Sequence, residues 1–149
     1  MSHLLVFLHP FCPCSMATMR ELEKIIHINH SRVSLFFIFS IPTADKQLTE
    51  AISDSALWKM ANRFPDPHLL TDTTMKLANR FEANTSGLIL LYNAHGRLVF
   101  QGGITPERGM EGDSTGKQRL LEAMNTTQAT MTKQNAVFGC SMRSGHILQ

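Results

Sequence analysis

Apolar runs alternate along this chain with segments of helical periodicity. Residues 4–8, 33–39 and 88–92 are apolar almost throughout, which predicts strands covered on both faces of a sheet. Between the first two runs, residues 16–28 carry apolar side chains at three- and four-residue spacing, which predicts a helix. This alternation of strand and helix predicts an α/β fold.

Weaker patterns complete the predicted organisation. Helices are expected at residues 54–64, 73–81 and 115–124, a short strand at 68–71, and a short apolar return at 137–140 after a polar linker at 125–134. Asp72 or Thr73 is expected to cap the second of these helices. Residues 88–92 and 97–101 flank a turn ending in Gly96, which predicts an antiparallel hairpin. We expect at least four strands, with the first two parallel.

Composition narrows the function classes. A chain of 149 residues with 43% hydrophobic and 17% charged residues predicts a single domain spanning residues 1–149. The formal net charge is only +2 and no basic run occurs, so we expect no nucleic-acid partner. No run approaches the roughly 20 apolar residues of a transmembrane helix, so we expect no membrane span.

The N-terminal apolar run is short and lacks the basic flank of a signal peptide. The sequence as it stands therefore predicts a cytoplasmic protein. The first strand begins almost at residue 3, as it would if a leader or anchor had been removed. In that case we expect a periplasmic or membrane-tethered protein.

Two cysteines, Cys12 and Cys14, lie where the first strand gives way to the first helix, with only Pro13 between them. A helix N-terminus offers free N–H groups and partial positive charge, and both stabilise a thiolate. The third cysteine, Cys140, is remote in sequence. An odd number of cysteines with one close pair argues against a disulfide framework. The pattern favours redox or metal chemistry over inert buried thiols.

The order strand, CxC motif, helix, strand, helix, hairpin, helix resembles the thioredoxin-like superfamily from residue 4 to about residue 124. The stretch from Phe81 to Gly103 independently resembles the second half of that fold. More narrowly, the motifs His9-Pro-x-Cys-Pro-Cys-Ser, Thr85-Ser-Gly and Gly102-Gly-Ile-Thr-x-x-Arg-Gly resemble a bacterial thioredoxin-like group sometimes called RedB-like.

The resemblance implies a thioredoxin-like three-layer α/β/α sandwich with a mixed central sheet and a peroxiredoxin-type insertion between residues 39 and 73. It also implies a thiol-disulfide oxidoreductase that acts on a protein thiol or disulfide partner and needs no cofactor. By the family pattern, Cys12 is the exposed nucleophile and Cys14 the resolving thiol. Pro13 stiffens the loop, and Ser15 caps the helix or donates a hydrogen bond to a sulfur.

Two departures from the family pattern stand out. Thioredoxins carry CxxC, so the smaller ring of a Cys12–Cys14 disulfide would be strained and easily reduced. Ser86 replaces the cis-proline that faces the cysteines, and we expect a trans peptide there because a cis bond before serine is costly. We still expect Thr85 and Ser86 to pack against the CxC loop, although the usual backbone pairing with substrate is in doubt.

Other side chains are candidates for supporting roles. His9 lies at the end of the first strand and can tune a thiolate or bind a metal. The glycine-rich loop of residues 102–116 returns to the cysteine end of the sheet, where Arg108 or Thr105 can approach the thiols. Cys140 is a possible third thiol, although burial in the core is its default interpretation.

Three functions therefore remain open at the level of sequence. The first is disulfide exchange through Cys12 and Cys14. The second is a Cu(I) or Zn(II) module in which His9, Cys12 and Cys14, with Cys140 as a possible addition, supply the ligands. The third is a fold relic without turnover. For the first function, the sequence predicts that Cys12 is the more exposed and more acidic thiol and Cys14 the more buried one.

Overall fold

The computed structural model describes residues 1–29, 33–126 and 131–143. Its elements, in chain order, are β1 (Ser2–Leu8), α1 (Ser15–Asn29), β2 (Val33–Ile41), α2 (Lys46–Ala51), a 3₁₀ turn (Ile52–Asp54), α3 (Ala56–Ala61), β3 (His68–Thr73), α4 (Lys76–Arg80), β4 (Leu88–Tyr92), β5 (Leu98–Gly102), α5 (Thr115–Asn125) and β6 (Lys133–Gln134). No helix in these ranges is both long enough and apolar enough to cross a bilayer.

The strands form one mixed sheet in the order β3-β2-β1-β4-β5-β6. β1 and β2 are parallel, which confirms the prediction from their apolar runs, and Val6 pairs with Phe37 near the middle of the ladder. β4 is antiparallel to β5, as predicted for the hairpin, and it is also antiparallel to β1. This places the carboxyl end of β1 beside the start of β4, so the CxC loop and residues 85–87 meet at one edge of the sheet.

Alternate residues of β1 point to opposite sides of the sheet, as strand geometry requires. Leu4, Val6 and Leu8 join a core with the apolar face of α1. Phe7 joins a second core with residues of α4, β4 and the C-terminal segment, among them Ala78, Leu88, Leu90 and Met142. Both faces are therefore covered, which explains why the strand sequences are apolar throughout.

The region between β2 and β4 departs most from the sequence prediction. The helix expected at 54–64 is the shorter α3, which begins after Ser55 because that hydroxyl accepts a hydrogen bond from the Trp58 N–H. The helix expected at 73–81 is α4, since residues up to Thr73 continue β3. The N-cap position is Met75 rather than Asp72 or Thr73, but the buried Asp72 carboxylate accepts from the Leu77 and Ala78 N–H groups in the first turn, both at 2.9 Å.

Two short elements, α2 and β6, were not predicted from the sequence. Within α2 no side chain is buried, so apolar periodicity could not reveal it. The strand β6 has only two residues and depends on pairing with β5. It falls in the stretch predicted as a polar linker, of which residues 127–130 lie outside the described ranges.

Candidate functional site

Three thiols meet at the carboxyl end of β1. The sulfur atoms of Cys12, Cys14 and Cys140 all lie within 4.8 Å of one another. Cys12 and Cys14 come from the loop between β1 and α1, and Cys140 comes from the segment that follows β6. The three cysteines are free thiols, and Cys12 is buried while the other two are half-buried.

The loop that carries Cys12 is a tight, hydrogen-bonded turn that leads into α1. The Cys12 N–H donates to the His9 carbonyl at 3.1 Å, and the Cys12 carbonyl accepts from the Ser15 N–H at 3.2 Å. The Pro13 and Cys14 carbonyls accept from the Met16 and Ala17 N–H groups at 3.2 and 3.3 Å. Helical bonding thus begins at the cysteines themselves, and the exposed Pro13 lies at the tip of the loop.

The exposure of the two motif cysteines is the reverse of the prediction. Cys12 is only 2% exposed, whereas Cys14 is half-buried. The physical reason is tertiary, since the segment that pairs with Ser86 brings the Cys140 sulfur within 4.8 Å of the Cys12 sulfur. Cys14 instead faces the glycine-rich loop, where a Cβ on Gly109 would lie 3.6 Å from its sulfur.

The surroundings of Cys12 favour its thiolate. Burial alone would raise the pKa of Cys12, but hydrogen bonds from the side chains and backbone N–H groups of Cys140 and Ser15 outweigh it and lower that pKa. The prediction that the Cys12 thiol is acidic therefore agrees with the structure, although the predicted exposure does not. The pKa of Cys140 is raised to about 12 by burial and by its contact with the Cys12 sulfur.

A chain of hydrogen bonds connects Cys12 to β1 through two buried serines. The His9 N–H donates to Ser86 Oγ at 2.8 Å, and Ser86 Oγ lies 2.7 Å from Ser15 Oγ. When Ser15 donates to the Cys12 sulfur, Ser86 must donate to Ser15, because each hydroxyl has one proton. Of the two expected roles of Ser15, the structure thus supports hydrogen bonding to a sulfur. Ser86 packs against the CxC loop as predicted, and the peptide before it is trans.

His9 does not complete the cluster of potential ligand atoms. Among the described residues, that cluster consists of the three cysteines, so Cys140 takes the place that the sequence analysis gave to His9. The His9 side chain is fully buried, and its Nδ1 accepts from the Phe11 N–H at 3.3 Å. This contact shapes the turn that leads to Cys12.

Arg108 is the cation of the site. Its Nε donates to Cys14 Sγ at 3.2 Å, and an Nη donates to Cys140 Sγ at 3.4 Å. These contacts, first the one to Cys14, raise the pKa of Arg108. The loop that carries Arg108 is fastened to α1 by an ion pair of 3.1 Å between Arg20 and Glu111. Thr105, the other candidate in this loop, is buried.

The segment that carries Cys140 pairs with the loop before β4. The Ser86 N–H donates to the Cys140 carbonyl at 2.8 Å, and the Met142 N–H donates to the Asn84 carbonyl at 2.9 Å. Thr85 and Ser141 form an antiparallel bridge between these contacts. Gly139 permits the close approach, because a Cβ there would overlap the Ser86 carbonyl oxygen.

Sequence reasoning took Cys140 as a core residue by default and as a possible third thiol or metal ligand, and the structure places it beside the other two thiols. A local sequence pattern could have favoured the position of Cys140 beside the other thiols. Gly139-Cys140 follows a short apolar run after the last helix, where a chain has room to return to the sheet.

Comparisons with known proteins show similarity at the level of structure. No protein-family model matches this chain, and no curated protein matches it. A solved structure of an uncharacterized conserved protein from Geobacillus kaustophilus has a TM-score of 0.71 and 19% identity, covering 97% of this chain and 78% of that one.

Two further solved structures have names that describe a function. MTB dsbF, in its mixed oxidized and reduced forms, has a TM-score of 0.56 and 15% identity over 85% of this chain and 81% of that one. A secreted Mycobacterium tuberculosis disulfide oxidoreductase homologous to E. coli DsbE has a TM-score of 0.52 and 15% identity over 83% and 79%. With the mixed sheet covered by helices on both faces, these similarities establish that this chain has the thioredoxin-like fold.

Proposed function

We propose that this protein is a thiol-disulfide oxidoreductase that exchanges a disulfide with a protein partner through Cys12 and Cys14. The observation that carries the proposal is the convergence of three thiols within 4.8 Å at the start of α1. Thiol-disulfide exchange needs an attacking thiolate, a second thiol to resolve the mixed disulfide, and a field that favours negative sulfur. The helix N-terminus and Arg108 supply that field.

The exposures of the two cysteines support the following roles in the proposed exchange. Cys14 is the motif sulfur that a partner can reach, so its thiolate attacks the partner disulfide, forms a mixed disulfide and releases one partner thiolate. The buried Cys12 thiolate then attacks Cys14 Sγ, forms the Cys12–Cys14 disulfide and releases the second partner thiolate. The Cys12 and Cys14 thiols are oxidised to a disulfide while the partner disulfide is reduced to two thiols. The reverse sequence of steps transfers the disulfide to a reduced partner.

The same proposal includes the family group and the domain organisation of the chain. The motifs around His9, Thr85 and Gly102 favour the RedB-like group, and the chain is proposed to be a single domain of residues 1–149. The partner is proposed to be a protein with a thiol or a disulfide. No role for nucleic acid is proposed.

Trapping of the mixed disulfide tests the proposal. The Cys12→Ser/Cys140→Ser variant should hold a partner, or a model protein disulfide such as insulin, as a mixed disulfide on Cys14, because both neighbouring thiols that can resolve it are gone. The Cys14→Ser variant should trap none at the same protein concentration. Non-reducing electrophoresis with mass spectrometry detects the mixed disulfide formed by each variant. Trapping only by Cys14→Ser would reverse the assignment, and trapping by neither variant would remove support for exchange.

One observation favours a second candidate function, a soft-metal module. Three cysteine sulfurs within 4.8 Å form a thiolate set suited to Cu(I) or Zn(II). Arg108 already donates to two of these sulfurs and adds positive charge, which disfavours a cation there. Metal analysis of protein purified without chelator separates the two candidates. Stoichiometric metal in the wild-type protein that is lost in Cys140→Ser would support the module.

A further inference from the structure

Cys140 has contacts that a core cysteine does not need. Its sulfur lies within 4.8 Å of the Cys12 sulfur, and it accepts from the same Arg108 guanidinium that donates to Cys14. Cys140 therefore lies beside Cys12 and shares a hydrogen-bond donor, Arg108, with Cys14. Its backbone is fixed at the same time by the hydrogen bond from the Ser86 N–H.

We propose that Cys140 is a third redox thiol and that the disulfide which persists after exchange joins Cys12 to Cys140. This inference rests on the proposed disulfide exchange, which delivers oxidation to the site. As a consequence, the Cys12–Cys140 disulfide links residues 137–143 covalently to the loop before α1.

The geometry of the CxC loop disfavours a lasting Cys12–Cys14 bond. Cys12 and Cys14 lie in the turn just before α1, with one residue between them and their sulfurs within 4.8 Å of each other. The turn is closed by hydrogen bonds from the Ser15 N–H to the Cys12 carbonyl and from the Ala17 N–H to the Cys14 carbonyl. A disulfide requires the two sulfurs to approach to about 2.05 Å with a narrow range of torsion angles. Within one spacer residue, that approach strains this turn.

The Cys12–Cys140 pair lacks this constraint. Cys140 lies in an irregular segment held mainly by backbone contacts to Asn84, Thr85 and Ser86. Its sulfur lies within 4.8 Å of the Cys12 sulfur, so closure needs a shift of one short segment and leaves the turn before α1 intact.

The exchange step needs no further oxidant. The Cys140 thiolate attacks Cys12 Sγ of the Cys12–Cys14 disulfide, the Cys12–Cys140 bond forms, and Cys14 leaves as a thiolate. The proton lost by Cys140 passes to solvent or to Cys14, and the number of disulfides is unchanged. Arg108 donates to both the attacking and the leaving sulfur, so it can stabilise negative charge at either end of the exchange.

Mapping the oxidised wild-type protein tests the inference. The protein is equilibrated in oxidised glutathione, its remaining thiol is blocked with N-ethylmaleimide, and it is digested with trypsin without reduction. We expect the peptide of residues 1–20 to be linked to that of residues 134–143, with the N-ethylmaleimide tag on Cys14. A tag on Cys140 means a Cys12–Cys14 bond and overturns the inference, while the proposed exchange survives. A tag on Cys12 means a Cys14–Cys140 bond and also overturns it.

A variant gives an independent readout. Cys140→Ser keeps the backbone pairing and forces the Cys12–Cys14 disulfide. We expect its equilibrium constant for oxidation by glutathione to fall at least about tenfold, about 30 mV in potential, with Ser141→Ala as a control that remains at the wild-type value. An unchanged potential in Cys140→Ser overturns the inference. Loss of all disulfide in the wild-type protein would overturn the exchange as well.

Discussion

The Ser86 N–H donates a 2.8 Å hydrogen bond to the carbonyl oxygen of Cys140. By the sequence resemblance, Ser86 corresponds to the cis-proline of thioredoxins, and proline has no N–H to donate. The serine therefore makes possible the pairing that brings Cys140 to Cys12. Its hydroxyl also accepts from the His9 N–H, so a single buried residue joins β1, the CxC loop and the C-terminal segment.

Replacing Ser86 by proline should release the C-terminal segment. The variant removes the donor to Cys140, so we expect faster amide exchange in residues 137–143 and faster alkylation of the buried Cys12. Hydrogen exchange with mass spectrometry and timed labelling measure the two effects. Ser86→Ala is the matched control, because it keeps the N–H while losing the hydroxyl.

The alanine control has its own expected result. Ser86→Ala leaves the His9 N–H buried without this acceptor, which should lower the free energy of unfolding by about 1–3 kcal/mol. Amide exchange in residues 137–143 should remain close to that of the wild-type protein. If the proline and alanine variants release the segment equally, the N–H of Ser86 is not what holds it.

The thiolate of Cys12 should appear at lower pH than that of an ordinary thiol, whose pKa is about 8.5. Burial opposes ionisation, but hydrogen bonds from Cys140 and Ser15 prevail and lower the pKa of Cys12. Absorbance at 240 nm should rise as pH passes this lowered pKa, and the early rise should vanish in Cys12→Ser. In Cys140→Ala the midpoint should move to higher pH because a donor is lost.

The same shift links Cys12 to stability. Because its pKa is lower in the folded state, the thiolate stabilises the fold above the ordinary thiol pKa, and this contribution disappears as pH falls through the folded-state pKa. A titration at 240 nm that is identical in wild-type and Cys12→Ser protein would contradict both statements.

Arg108 should govern the reactivity of Cys14. Its Nε donates to Cys14 Sγ, and its positive charge stabilises the negative charge shared by the sulfurs during attack, so Arg108→Ala should slow formation of a mixed disulfide on Cys14 several-fold at neutral pH. Arg108→Lys should retain part of the rate, because lysine keeps the charge but not the planar pair of donors. Stopped-flow mixing with a chromogenic aromatic disulfide measures the rates. Arg63→Ala, at an exposed position after α3, should have no effect, and an equal loss there would contradict the assignment.

The buried carboxylate of Glu21 should make stability depend on pH. Burial would raise its pKa, but hydrogen bonds from Lys24 at 2.7 Å and from Lys117 at 2.9 Å, with their charges, lower it. The stabilisation is therefore complete above the unfolded pKa of about 4.3 and disappears as pH falls through the lower folded pKa. Glu21→Gln should cost about 1–3 kcal/mol at pH 7.

Urea unfolding at pH 7 and pH 4 checks the Glu21 prediction. Between these values, Glu21→Gln should lose less stability than the wild-type protein, because its side chain does not titrate. Glu23→Gln, at an exposed position of the same helix, should match the wild-type protein. Equal curves for all three proteins would mean that the contacts from Lys24 and Lys117 do not stabilise the folded state.

The apolar runs of β1, β2 and β4 determined the strands, their parallel or antiparallel pairing and the place of the CxC motif. These predictions depend on periodicity and on chain connectivity, which are local properties of the sequence. The helices between β2 and β4 were predicted less well, because α2 buries no side chain and short caps set the bounds of α3 and α4.

The sequence offered Arg108 and Cys140 only as candidates, and the tertiary structure decided that both lie beside the motif thiols and that Cys12 is the buried one. Arg108 contacts Cys14 across 94 positions of the chain and Cys140 across 32. No periodic pattern encodes such contacts. They follow from the return of the C-terminal segment to Ser86 and from the packing of the glycine-rich loop on α1. Exposure and acidity of a thiol are set by the segments that pack around it, and so they were fixed only when the chain had folded.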